Sequence, residues 1–291
     1  MNTITNTLPA SLQYIKDKLS AEKELLPNQI RRIVLDAAVE QKDLMAWADY
    51  DHPVTDGYGR KMVHHGGHFE IMVMSWVPGD FSAIHDHGYT QWGAVQVFGP
   101  AEHATFRVKD GKISTLDRWI FNPGDVVGVS HDLVHQMGNS TENTRFLSLH
   151  VYGQKENIES ITGDARIFDL ENNTIQRVDG GVFFALPSKE IKSTEVGPIA
   201  DFPTKLRYML ELTKRLNRMK QAGTPSTEID LNEVIKNTFS PEFNNELVKS
   251  LTGSNEEQGY SSIYKRSLKK ELQEAIKVQE MLLGRGLAGL N

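Results

Sequence analysis

The sequence predicts a mainly β protein, a small antiparallel barrel preceded by helices and followed by a helical extension. Three observations carry the prediction. Short apolar, β-branched runs between Phe69 and Tyr152 are separated by turn signals at Asp110-Gly111, Pro123-Gly124 and Asn139-Ser140, the texture of a barrel or sandwich. On either side the pattern switches to the period of helices packed by one face. All ten histidines lie between His52 and His150, so imidazole chemistry belongs to the β part.

In chain order, residues from about 11 to 48 read as helices, with Leu12, Ile15 and Leu19 on one stripe and Ile30, Ile33, Val34, Ala37 and Ala38 on another. Residues 1–50 are therefore expected to cap the barrel. A Gly/Pro/Asp-rich passage over 51–60 and the turn Gly66-Gly67 open the β core, set at 51–188. Strands are expected near 69–77, 94–98, 104–108, 126–129 and 145–152, with further pieces at 167–170, 174–178 and 182–186. The polar stretch 187–203 reads as a linker to an extension spanning 189–291. There Thr204 is expected to cap a helix that turns Leu206, Met209, Leu210 and Leu216 inward. Asp230 with Glu233 reads as a capping box, and Ser240-Pro241 starts a helix ended by Gly253. A last helix over about 262–283 carries a seam of Leu268, Leu272, Ala275, Gln279 and Leu282. Such a seam docks on its own protein or on a second copy, so a homo-oligomer through the C-terminal helices is one expectation.

With 291 residues there is room for one large domain or two modest ones. Hydrophobic residues make up 39% and charged residues 24%, as in ordinary globular proteins. The net charge of -6 argues against a general binder of nucleic-acid backbone. The absence of cysteine excludes disulfides, thiolate ligands and a cysteine nucleophile. Residues 1–7 show no basic-then-apolar leader, and no apolar run approaches the roughly 20 residues of a membrane span. The expectation is a cytoplasmic protein with neither a membrane nor a nucleic-acid partner.

The stretch that organises the chain is Pro78-Gly79-Asp80-Phe81-Ser82-Ala83-Ile84-His85-Asp86-His87. A turn feeds a strand, and residues two apart on a strand share a face. His85 and His87 then point one way and Asp86 the other, giving two legs of a metal site. The third leg is expected at His135, in His135-Gln136-Met137-Gly138-Asn139, downstream of a second turn, Pro123-Gly124-Asp125. His131, four residues earlier, is its rival. The series Gly, five residues, His-x-His, then Pro-Gly-Asp and His-x-x-x-Asn resembles the cupin pattern, which implies a jelly-roll barrel around one metal ion. Where cupins often add a glutamate, this chain has Gln91 and Trp92. Three neutral imidazoles leave a divalent ion its full charge, favour an anionic substrate and leave about three positions open on a six-coordinate ion.

Strand alternation also sorts the segment from Leu147 to Tyr152. Ser148, His150 and Tyr152 face one way and Leu147, Leu149 and Val151 the other. The polar set is expected to line the cavity as a serine–histidine–tyrosine relay, because each group left unpaired would cost roughly 1–3 kcal/mol.

Tyr58-Gly59-Arg60-Lys61-Met62-Val63, Trp76, His85-Asp86-His87, His135 with Asn139, and Ser148-Leu149-His150-Val151-Tyr152 together resemble the cysteine dioxygenases, the thiol dioxygenase branch of the cupins, over roughly 29–153. The resemblance implies Fe(II) held by His85, His87 and His135. It implies a small-molecule thiol bound through thiolate and amine, with both atoms of O2 going to sulfur. Arg60 would pair the substrate carboxylate, to which a guanidinium fork is suited, and Tyr58 would support it. Tyr152 would hydrogen-bond near the sulfur and oxygen, oriented by His150, itself held by Ser148. The cysteine that animal members crosslink to this tyrosine is matched by Gly93, as in bacterial members, so Tyr152 is expected unmodified.

The expected function is oxidation of L-cysteine to cysteine sulfinic acid. The alternatives are the same chemistry on 3-mercaptopropionate or mercaptosuccinate, a cupin isomerase or epimerase using zinc or manganese, and a ligand-binding regulator. His64, His65 and His68 read as solvated, and His52 and His103 have no partner the sequence can name.

Overall fold

The computed structural model describes residues 7–242, 245, 269 and 271–278. Leu12, Ile15 and Leu19 are the buried stripe of α1 (Ala10–Ala21), and Ile30 and Val34 that of α2 (Pro27–Asp36). Ala38 takes a positive φ of 48° just past α2, so the helix stops short of the last two residues of the expected stripe. Both helices cover one face of a five-stranded sheet. Its order is β1 (Gly59–His65), β2 (Phe69–Trp76), β8 (Phe146–Gly153), β3 (Trp92–Val97) and β6 (Val126–Ser130). β2 and β8 are buried along their whole length. Alternation divides them: Phe69, Ile71, Val73, Leu147, Leu149 and Val151 pack under the helices, whereas Met72, Met74, Trp76 and Tyr152 turn into the barrel.

The opposite wall is built from two smaller sheets. One has the order β12 (Ile199–Ala200), β5 (Lys112–Phe121), β4 (Ala101–Lys109) and β7 (Val134–Gly138). The other has the order β11 (Ile191–Val196), β10 (Thr174–Val178) and β9 (Ala165–Asp169). Residues 81–87, expected as a strand, are an irregular extended segment that joins the two. The segment bridges to β7 at Phe81↔Gly138 and His85↔His135, and to β9 at His85↔Ile167. It does not form a regular ladder because its backbone donors go to different places: Ser82 N to Met137 O, Ala83 N to Val182 O and Asp86 N to Arg166 O.

Residues 187–203 are not a free linker. β11 extends the ladder of β10, and β12 runs parallel to β5. The cap of α4 (Phe202–Gln221) is Asp201, whose carboxylate accepts from Thr204 N at 3.1 Å. Pro203 in the first turn starts the helix earlier than expected. Thr204 is instead buried, with its hydroxyl against the backbone and side chain of Thr115. α4 lays Tyr208, Met209, Leu212, Leu216 and Met219 into the same core as the barrel. α5 (Leu231–Thr238) begins at Asp230, whose side chain accepts from Asn232 N. In the helical piece 271–278 the buried side is Glu271, Ala275 and Val278, with Leu272 half-buried. Ala275 is buried as expected, and Glu271, which pairs with Arg118, lies on the same side. Leu268, Gln279, Leu282 and Gly253 lie outside the described residues. Among the described residues no helix is long and apolar enough to cross a membrane.

Candidate metal centre and its cavity

Two matching turns deliver the histidines. In the first, Gly79 has φ 82° and Asp80 accepts from Val77 N at 2.7 Å; in the second, Gly124 has φ 94° and Asp125 accepts from Asn122 N at 2.8 Å. Positive φ is glycine's region, which explains both Pro-Gly-Asp sequences. His85 and His135 then exchange two backbone hydrogen bonds of 2.9 Å each, and this sets their rings side by side. His85, His87 and His135 are all buried, and one nitrogen from each lies within 4.8 Å of the others.

The donor set fits a divalent ion. His87 Nε2 and His135 Nε2 are 3.1 Å apart, and two nitrogens about 2.1 Å from one ion and about a right angle apart would be about 3 Å from each other. His85 Nδ1 lies 2.9 Å from Ala83 O, and His135 Nδ1 lies 2.8 Å from His103 Nε2. With the proton on Nδ1 in each, both Nε2 lone pairs are left for a metal. Burial pushes the His85 pKa down to about 4, and holds His87 and His135 well below the ordinary value, with neighbouring histidines adding to the effect. All three imidazoles are therefore neutral, the form that ligates. Asp86 is turned away and receives the Nε–H of Arg166 at 2.5 Å.

The three histidines open on a cavity of about 40 Å³, also lined by Arg60, His150 and Tyr152. Ser148, His150 and Tyr152 form the expected chain: Ser148 Oγ to His150 Nε2 is 2.7 Å and His150 Nδ1 to Tyr152 Oη is 2.9 Å. Trp76 heads it, donating from Nε1 to Ser148 Oγ at 2.8 Å. Burial pushes His150 down to about 3 and the Tyr152 phenol up. Arg60 donates from Nη2 to Thr162 Oγ1 at 3.0 Å. Tyr58 is buried, with its hydroxyl accepting from Val182 N at 3.3 Å and its ring 4.7 Å from that of Trp76. Gly93 sits directly across from Tyr152 on the neighbouring strand.

The remaining histidines sort differently from the sequence reading. His131 is bonded to Thr90 O and is not part of the cluster. His68, expected in solvent, is buried, with Nε2 2.8 Å from Leu19 O at the end of α1. His52 has a partner in Asp80, at 3.1 Å. His103 is the position that sequence reasoning missed: it braces His135 from strand β4. No local signal marks it, since the residues of β4 on both of its faces near His103 are buried and its partner is 32 residues away.

A barrel with two facing walls and three inward imidazoles between them defines a cupin with a site able to hold a metal. The family model of cysteine dioxygenase type I matches residues 4–155, more than half of the chain, and the protein belongs to that family. Its chemistry is accordingly of the thiol dioxygenase type. Among solved structures, similarity extends to a conserved protein with a double-stranded β-helix domain from Klebsiella pneumoniae (17% identity, 40% of this chain and 90% of that one, TM-score 0.30). It extends also to a Cupin 2 conserved barrel domain protein from Salinispora arenicola (16% identity, 35% and 80%, TM-score 0.26).

Proposed function

We propose that the protein is a non-haem iron(II) dioxygenase that converts L-cysteine and O2 to cysteine sulfinic acid. The observation that carries this reading is the meeting of Arg60, three neutral imidazoles and the Tyr152 hydroxyl in one small cavity. Ferrous iron at His85, His87 and His135 would supply the redox chemistry that joins a thiol to O2. The conversion RSH + O2 → RSO2H places both oxygen atoms on sulfur and needs no further reductant.

The chain's own residues supply position and polarity. Arg60 offers a fixed fork of donors to the carboxylate of the amino acid. The relay has a direction. Trp76 can only donate to Ser148, so the serine proton is free to go to His150 Nε2. His150 then carries its proton on Nδ1 and donates to Tyr152 Oη, and the phenolic O–H is left to donate into the cavity. Because His150 stays neutral and Tyr152 stays protonated, the relay is a chain of uncharged hydrogen bonds across the neutral range. Met72, Met74 and Val182 add apolar walls to this space.

A second reading keeps the chemistry and changes the thiol. Arg60 recognises a carboxylate, and 3-mercaptopropionate and mercaptosuccinate carry one as well.

The first test is O2 uptake by the anaerobically iron-loaded protein with L-cysteine, with the product weighed. Gain of two oxygens on cysteine supports the proposal; uptake only with another thiol moves the substrate; no uptake with any thiol in a protein that retains iron sinks it. Arg60→Ala should raise KM for cysteine about tenfold or more, the scale of one lost charge-assisted hydrogen bond, while iron content holds. If neither KM nor kcat moved, Arg60 would not be the anchor.

A further inference from the structure

The matched region ends at residue 155, yet Thr162, Ala165, Gly180 and Val182 line the same cavity as Arg60. Thr162 is of particular interest. Its Oγ1 accepts from Arg60 Nη2 at 3.0 Å and donates to Glu70 Oε2 at 3.3 Å; Glu70 Oε1 in turn accepts from Ile161 N at 3.0 Å. Glu70 lies opposite Tyr152 in the pairing of β2 with β8 and is only 2% exposed. It is a buried carboxylate that neither the metal site nor the relay uses.

We propose that Thr162, locked by Glu70, is a positioning residue that sets the Arg60 guanidinium and thereby makes the cavity select thiols that carry a carboxylate. This rests on the reading of Arg60 as the carboxylate anchor. The orientation of the threonine hydroxyl is determined by its neighbours. A guanidinium only donates, so a lone pair of the hydroxyl faces Arg60 and its single proton goes to Glu70 Oε2. A free arginine side chain has about 2 kcal/mol of rotamer entropy to lose on binding. A hydrogen bond at one Nη removes part of that freedom before substrate arrives, leaving the other donors for a ligand.

The test uses Thr162→Val, which keeps the shape and removes the hydroxyl, and Thr162→Ser, which restores the hydroxyl. Iron-loaded protein is titrated anaerobically, by calorimetry, with L-cysteine and with cysteamine, which has thiol and amine but no carboxylate. The Arg60 Nε–Hε cross-peak is followed in parallel by NMR. Thr162→Val is expected to weaken cysteine binding about tenfold, the scale of a hydrogen bond to a charged group, with cysteamine moved less than about twofold. The Arg60 cross-peak should shift or broaden, and Thr162→Ser should bring both readouts back. Should the valine variant fail to fold, Thr162→Ala removes the same hydroxyl and is expected to behave alike. An unchanged cysteine-to-cysteamine ratio with an unchanged Arg60 cross-peak overturns the proposal. Absence of thiol binding to the wild-type protein, together with an Arg60 cross-peak that shifts between wild type and Thr162→Val, would overturn the thiol reading and support Thr162 as the residue that sets Arg60.

Discussion

Gly93 illustrates how closely the residues around Tyr152 are fitted. A Cβ there would stand 2.6 Å from Tyr152 Cδ1 and 2.8 Å from Val151 O, closer than carbon atoms sit without something moving. Gly93→Ala is expected to destabilise the fold by about 1–3 kcal/mol, the usual cost of overpacking, measured by urea unfolding, and to lower turnover by displacing the phenol. Tyr152→Phe removes only the hydroxyl. On the proposed reading it should cut kcat by about a hundredfold, the scale of a lost proton-donating group, with iron content unchanged by metal analysis; full activity would remove Tyr152 from the chemistry. At this scale the sequence was informative wherever partners are near in the chain. His85 and His87 are two apart, as are Ser148, His150 and Tyr152, and alternation alone assigns their faces. It was silent on Thr162 with Arg60, 102 residues apart, and on His103 with His135, 32 apart, because contacts between distant segments leave no local period.

At the scale of elements, α4 grips the segments that carry the histidines. Arg207, 2% exposed, donates from Nε to Gln136 Oε1 at 3.0 Å and from Nη2 to Glu102 Oε1 at 2.7 Å. Those two residues adjoin His135 and His103. Burial alone would raise the Glu102 pKa, but Arg207 and Arg118 outweigh it and hold the carboxyl well below the ordinary range. Near the other end of the helix, Arg218 Nη2 donates to Asp80 Oδ1 at 2.8 Å, and Asp80 closes the turn that leads into His85 and His87. Arg207→Ala should cost about 3–5 kcal/mol, as for other buried pairs that lose one partner, read by urea unfolding. Ending the chain at residue 188 removes α4 from the barrel core and should abolish iron retention; a truncated protein that folds and holds a full complement of iron would contradict this. The stretch 187–203 carries no strand signal of its own, because β11 is largely exposed with a polar middle and β12 is only two residues long. Only the neighbouring strands make them strands.

The whole molecule has an acid sensitivity that follows from its buried imidazoles. His85 and His103 are pushed to about 4 and His150 to about 3 from an ordinary value of 6.5, by burial first. Between about pH 6.5 and pH 4 the unfolded chain therefore binds protons that the folded chain refuses. Stability is full above the unfolded value and falls as pH drops through that window, by up to about 1.4 kcal/mol per pH unit for each histidine. Metal-free protein should lose stability progressively over this range in urea melts taken at successive pH values. Iron-loaded protein should hold to lower pH, since a bound ion competes with the protons and stabilises only the folded state. Equal acid midpoints with and without iron would show that the histidines hold no ion. The sequence by itself determined the β barrel between helices, the three histidines and the serine–histidine–tyrosine line. Strand alternation and turn chemistry are local properties that can be read a few residues at a time. Only the tertiary structure decided that 81–87 is a joint between two sheets, that α4 belongs to the barrel core, and that Glu70, Thr162 and His103 stand behind Arg60 and His135. Burial and pairing between distant segments are properties of the packed chain, and they exist only once the walls of the barrel have closed on each other.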